Sequence, residues 1–104
     1  MSNLNAVMLR GKIIPESISQ SKEAGEVVVE FSVSTHYDFR RAEDELVREK
    51  SSIPCVATGN VGATIKRKAA KGKEVEIHGS LREYKLFTPM GSCSTVKVVC
   101  ESVR

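Results

Sequence analysis

Residues 51–87 read SSIPCVATGNVGATIKRKAAKGKEVEIHGSLREYKLF, and the spacing of apolar side chains changes twice along them. Ser51 to Thr58 reads as a strand. Pro54 within it predicts an edge position or a bulge, because proline has no N–H to give a ladder. After Gly59 and Asn60 the period lengthens. Val61, Ile65 and Ala69 fall at i, i+4 and i+8, the single apolar stripe of a helix. Asn60 is the expected N-cap and Gly72 the expected C′ residue. Lys66, Arg67, Lys68 and Lys71 crowd the last turns, where positive charge suits the helix dipole. From Lys73 the period returns to two. Val75, Ile77, Gly79 and Leu81 share one face, and Glu74, Glu76, His78, Ser80, Arg82 and Tyr84 the other.

Working outward, both flanks are strand-like. Toward the N-terminus, Asn3 to Ile14 places Val7, Leu9, Gly11 and Ile13 on one side and Ala6, Met8, Arg10 and Lys12 on the other. Gly11 predicts a bulge or a sharp coil of the sheet, and Pro15 ends or bends the strand. Glu16 to Gly25 is polar and reads as a turn. Val27, Val29, Phe31, Val33 and Thr35 form the clearest half-buried face, opposite Glu30, Ser32, Ser34 and His36, with Val28 the exception. This strand runs into Tyr37-Asp38-Phe39-Arg40-Arg41. Ala42 to Lys50 has nine residues with two apolar side chains beyond its alanine's methyl, Leu46 and Val47, and reads as a solvated hairpin loop. Thr88 to Gly91 is a turn, and Ser94 to Val103 a last strand. The predicted order is three strands, a helix and two strands. Strands this long in so small a chain must curl. An all-β, five-stranded Greek-key barrel with one helix between its third and fourth strands satisfies the order. That is the oligonucleotide/oligosaccharide-binding (OB) fold, one domain over residues 1–104.

Composition narrows the function. The chain has 104 residues, 16 basic and 13 acidic, for a net charge of +3, which permits a polyanionic partner without demanding one. No apolar run approaches the roughly 20 residues of a spanning helix, and no secretory signal is visible. Cys55, Cys93 and Cys100 are odd in number and lack Cys-x-x-Cys spacing, so reduced thiols are expected rather than a disulfide framework or a zinc site. The two histidines, His36 and His78, stand far apart, and no nucleophile elbow or phosphate-binding glycine loop occurs. No enzyme, metal or cofactor is implied. A cytoplasmic or nucleoid-associated location is expected, or an organellar one behind a trimmed targeting segment.

Four fragments, in order, resemble the single-stranded DNA-binding protein (SSB) family. They are N-x-N-x-V-x-L-x-G at Asn3 to Gly11, VVEFSVST at Val28 to Thr35, CVATGNVG at Cys55 to Gly62, and AKGKEVEIHGSLR at Ala70 to Arg82. The likeness spans about residues 3 to 103. It implies binding of single-stranded DNA, or RNA, with low sequence preference, in replication, repair or recombination. It also implies stacking aromatics on the nucleic-acid face. Phe39 occupies one such position, whereas Ser52 and Thr58 stand at two others and Leu86, next to Phe87, at a fourth. The family's long tail with its acidic end does not occur up to Arg104, as expected either of a truncated sequence or of a tailless relative. The chain also resembles a tailless relative, the primosomal replication protein of replication restart, and small OB subunits of mitochondrial RNA-editing complexes share the pattern. They imply an alternative, an interaction subunit of a larger nucleoprotein complex.

Binding a single strand needs cations along its backbone and flat rings for its bases. Two clusters supply both: Tyr37, Phe39, Arg40 and Arg41, then Arg82, Tyr84, Lys85 and Phe87, with Arg10 and Lys12 adding charge from the first strand. Phe31 belongs to the core register. Lys66 to Lys71 reads as a solvated helix face, and Glu43-Asp44-Glu45 repels phosphates. Tyr84 and Phe87 fall on opposite faces of one strand. Two lost stacking positions would be offset by joining grooves, which predicts a homodimer or homotetramer built on the open edge of strand one.

Overall fold

A computed structural model describes residues 3–104. Six strands and one principal helix follow in the order β1 (Val7–Ile13), a 3-10 turn (Pro15–Ser17), β2 (Ser19–Glu23), β3 (Glu26–Ala42), β4 (Glu45–Thr58), α1 (Gly59–Lys71), β5 (Glu74–Thr88) and β6 (Gly91–Val103). The sheet runs β1-β5-β6-β4-β3-β2, and β1 also pairs with β3. That extra pairing closes β1, β5, β6, β4 and β3 into the five-stranded barrel of the OB fold. The helix joins the third and fourth barrel strands, as the period change predicts.

Closure depends on β1 changing partners. It pairs with β5 from Val7 to Lys12 and with β3 at Lys12 and Ile13. Gly11 sits at the crossing without a bulge, and a Cβ there would collide with the Ser34 carbonyl. Glycine is therefore required by close approach, the sharp-coil alternative. A second close approach lies at Gly79, where the β5–β6 register shifts and a Cβ would meet the Val99 carbonyl.

The core contains the Val29-Phe31-Val33 and Val75-Ile77 registers read from the sequence, and adds inward residues of β4 and β6 for which no register was read. Val29, Phe31, Val33, Cys55, Ala57, Val75, Ile77, Val98 and Cys100 are buried inside the barrel. Ile65 and Ala69 of the α1 stripe seal its lower end, also buried. Burial pushes the Cys55 thiol up to about 12 and the Cys100 thiol to about 11. Gly72 takes the left-handed conformation at φ 67° and its N–H donates to the Ala69 carbonyl, the expected C-terminal stop. The N-cap differs from expectation. It is Thr58, in extended conformation, and Gly59 at φ 56° makes the turn, so Asn60 lies inside the first turn.

Two further expectations are corrected. The polar stretch Glu16–Gly25 contains β2, which pairs with β3 through the two-residue turn Ala24-Gly25, both at positive φ. That is the turn geometry hairpin twist favours. The Ala42–Lys50 loop shrinks to Glu43-Asp44, because the β3–β4 ladder continues to the Ala42↔Glu45 pair. The strands are accordingly long: 17 residues in β3, 14 in β4, 15 in β5 and 13 in β6. At about 3.3 Å per residue, β3 matches the longest molecular dimension, 54 Å. The radius of gyration, 15.8 Å, exceeds the roughly 13 Å of a globule this size.

The excess is two hairpin arms, β3–β4 and β5–β6, beyond the barrel wall. Both project from the end opposite α1, because β4 and β6 are parallel neighbours. Their ladder is short, Cys55↔Val98 and Val56↔Val99, and begins just after Pro54. With no N–H at Pro54 the two strands separate, and the strand is edge-like only above that residue.

Candidate nucleic-acid interface

Register decides which side chains share a surface. On the outer face of β3 and β4 stand the pairs Ser34↔Ser52, His36↔Lys50, Asp38↔Arg48 and Arg40↔Leu46. Lys12 joins the same face beside Ser34. On the outer face of β5 and β6 stand Arg82↔Lys97, Tyr84↔Thr95 and Leu86↔Cys93. Cations thus recur on the outer surface of neighbouring strands at Lys12, Lys50, Arg48, Arg40, Lys97 and Arg82. Acids interrupt them. Asp38 holds Arg48 at 2.9 Å, and this guanidinium lowers the carboxyl's pKa while the carboxylate raises that of the arginine. Arg82 has no ion-pair partner among the described residues.

The ten predicted residues fall in separate places. Arg10 and Lys12 line a groove of about 340 Å³ at the β1–β3 seam with Ser34, Thr35, His36 and Glu74. Arg10 is engaged there, 2.9 Å from Glu76, whose other oxygen lies 3.3 Å from His78 Nε2. His78 and Arg10 together hold the Glu76 carboxyl below its ordinary range. Tyr37 and Phe39 lie on the inner register of the first arm and stack on each other, ring centroids 5.9 Å apart. Tyr37 is 50% exposed and Phe39 is half-buried against it. Arg40 occupies the other face and donates to the Glu43 carbonyl, which ties it to the tip. Arg41 falls at the register shift between Arg40 and Ala42.

Arg82 and Tyr84 share the outer face of the second arm, as above. Lys85 and Phe87 take its opposite face with Glu83, around a groove of about 330 Å³. Phe87 is 78% exposed. The structure therefore brings together Tyr37 with Phe39, and Arg82 with Tyr84, but sets Phe87 across the strand from Tyr84.

Sequence reading missed Lys97, Lys50 and Arg48. Lys97 Nζ lies 4.9 Å from the Tyr84 ring centroid and 2.6 Å from Glu30 Oε1. The available signal was the strand parity of Ser94 to Val103, which places Lys97 outside between Val96 and Val98. Its closeness to Tyr84 needed the register. Lys50 and Arg48 were hidden because that segment reads as a loop. The fold also uses a residue of the N-terminal motif. The Asn5 side chain accepts from the Leu81 N–H and donates to the Leu81 carbonyl, each at 2.8 Å, standing in for a strand residue. A concavity of about 680 Å³ lies at the other end between α1 and the β2–β3 hairpin, where Lys66 donates to Gln20.

Known proteins match this arrangement along its length. A Plasmodium falciparum SSB, solved in complex with ssDNA, superposes with a TM-score of 0.83 over 100% of this chain and 94% of that one, at 22% identity. A single-stranded DNA-binding protein of Treponema pallidum (strain Nichols) is 28% identical over 104 residues, and the chain spans 58% of that relative's length. The family model described as "Single-strand binding protein family" matches residues 4–104, and with barrel, helix and arms all accounted for, the chain belongs to that family.

Proposed function

We propose that this protein binds single-stranded DNA with little base preference, in replication, repair or recombination. One observation carries the reading: six cations on the outer surface of adjoining strands run past aromatic side chains on two arms that stand free of the barrel. Phosphates would follow Lys12, Lys50, Lys97 and Arg82. Bases would reach Tyr84 on the outer face, and Tyr37, Phe39 and Phe87 where the strand passes between or over the arms. Stacking accepts any base, so sequence preference is low. A cytoplasmic or nucleoid-associated location, or an organelle that holds DNA, suits this reading.

Fluorescence anisotropy with a labelled oligo-dT strand at two salt concentrations tests this. Binding should weaken as salt rises and should exceed that to duplex. No binding at low salt, or equal affinity for duplex, overturns the reading.

Assembly follows from the same surface. Ser52 and Thr58 cannot stack, and β1 leaves one edge open from Val7 to Gly11. Pairing of two such edges would join grooves and restore affinity. Sedimentation at micromolar concentration should give a dimer or tetramer. A monomer that binds tightly defeats this part alone.

A second reading, a subunit of a nucleoprotein complex, is favoured by the apolar arm tips. Leu46, Leu86, Phe87 and Met90 are all more than half exposed. Competition between DNA and RNA strands separates the two, because a preference for RNA favours the subunit role.

A further inference from the structure

On the outer face, Glu30 of β3 lies directly opposite Val56 of β4, and Val56 opposite Val99 of β6. Lys97 belongs to the neighbouring row. Its side chain reaches over β4 to Glu30, and the pair closes at 2.6 Å. The same ammonium lies 4.9 Å from the Tyr84 ring centroid. Lys97 is the more buried partner, its side chain 21% exposed against 49% for Glu30. Two shallow grooves, of about 200 and 180 Å³, meet at Glu30. One holds Ser32, Pro54 and Lys97, the other Val28, Val56, Thr58, Arg82 and Tyr84. An acidic side chain thus stands on the cationic outer surface beside Lys97 and Arg82, with Glu23 lining the same groove, and the outer face's ring is covered by one of those cations.

We infer that Glu30 limits affinity on this face: it keeps Lys97 over Tyr84, so that a single strand must exchange a phosphate for the Glu30 carboxylate and a base for the Lys97 ammonium. This deepens the single-strand reading and rests on it. Each half of the exchange follows from the geometry. While the ammonium covers the ring, a base cannot stack there. While the carboxylate holds the ammonium, a phosphate gains no unpaired charge. The freed Glu30 then faces the incoming backbone as a like charge, which disfavours binding. The arrangement discriminates by strength of attachment. A short or weakly held strand does not displace Glu30, and a longer one anchored on Lys12, Lys50 and Arg82 does.

The test compares the whole chain with Glu30→Gln, Glu30→Thr and Lys97→Gln, and with Glu26→Gln as a charge-matched control at the α1 end. Each is titrated with labelled oligo-dT across a salt series, with thermal melts to show that the variants fold. Glu30→Gln should tighten binding about threefold to fivefold near 0.15 M salt, the size of one exposed ion pair. It should also steepen the slope of log K against log salt by about 0.7, one phosphate's worth on a single strand. Glu30→Thr, which suits a strand, should act in the same direction. Lys97→Gln should weaken binding, and Glu30→Gln should add no steepening in that background. Equal effects of Glu30→Gln and Glu26→Gln overturn the inference, since net charge alone would explain them. Weaker binding by Glu30→Gln also overturns it, since Glu30 would then be a contact. If the wild-type chain binds no single strand, the reading and the inference fall together. If it binds and Glu30→Gln leaves it unchanged, only the inference falls.

Discussion

The barrel and its two arms are made of the same strands but obey different rules. Every buried residue lies in the barrel or on α1, and none lies in residues 36–50 or 81–97. In the barrel a side chain is placed by the water it must avoid. In the arms both faces are wet, so side chains are placed by the ladder alone and are free to serve a partner. A change in the barrel should therefore be read as lost stability, and a change in the arms as lost binding.

The sharpest contrast is chemical. Cys93 is exposed on the second arm, whereas Cys55 and Cys100 are buried with their thiols pushed up to about 12 and about 11. At pH 8 the thiolate fraction of Cys55 falls about a thousandfold below that of an ordinary thiol. A thiol-reactive chromophore should titrate one group promptly and the other two only on unfolding. Three prompt groups would mean that the barrel opens readily. Next in size are core truncations. Ile77→Ala and Ile65→Ala, both at 0% exposure, should each lower stability by about 2–5 kcal/mol in urea titrations. Phe87→Ala should stay within about 0.5 kcal/mol.

For binding the ranking reverses. Phe87→Ala or Tyr37→Ala should each weaken oligo-dT binding by up to about 1–3 kcal/mol, while Ile65→Ala should leave affinity nearly unchanged below its melting point. Arg82→Ala, which removes an unpaired cation, should reduce the salt slope by about 0.7. The smallest effect concerns acid. Glu76 is held below its ordinary value of 4.5 by His78 and Arg10. The stability it contributes is complete above that value and fades as pH falls through its lowered pKa. The urea midpoint of Glu76→Gln should accordingly change less between pH 7 and pH 3 than that of the wild type.

The same division explains what could be read from residues alone. The barrel registers of Val29-Phe31-Val33 and Val75-Ile77 were legible, as was the α1 stripe, because burial imposes a period on the sequence. The arms were not. His36 to Arg40 pairs residue by residue with Leu46 to Lys50, yet the charges of this ladder obey no inside–outside rule. β2 went unread for the same reason: all five of its residues are exposed. Its one signal was the Ala24-Gly25 dipeptide. For the interface, cations and rings were visible singly. Which face each occupied depended on register, so Arg82 and Tyr84 could be grouped by parity, whereas the reach of Lys97 across β4 to Glu30 could not.

The seam between β4 and β6 has a mechanical consequence. Like the β1–β3 closure, and unlike the long antiparallel ladders of β3–β4 and β5–β6, it is held by two residue pairs. A wedge entering between the hairpins would meet few backbone bonds before the wall began to part, and Pro54 has no N–H to donate. Parting the arms at this seam would therefore break fewer backbone pairs than parting the strands of either hairpin.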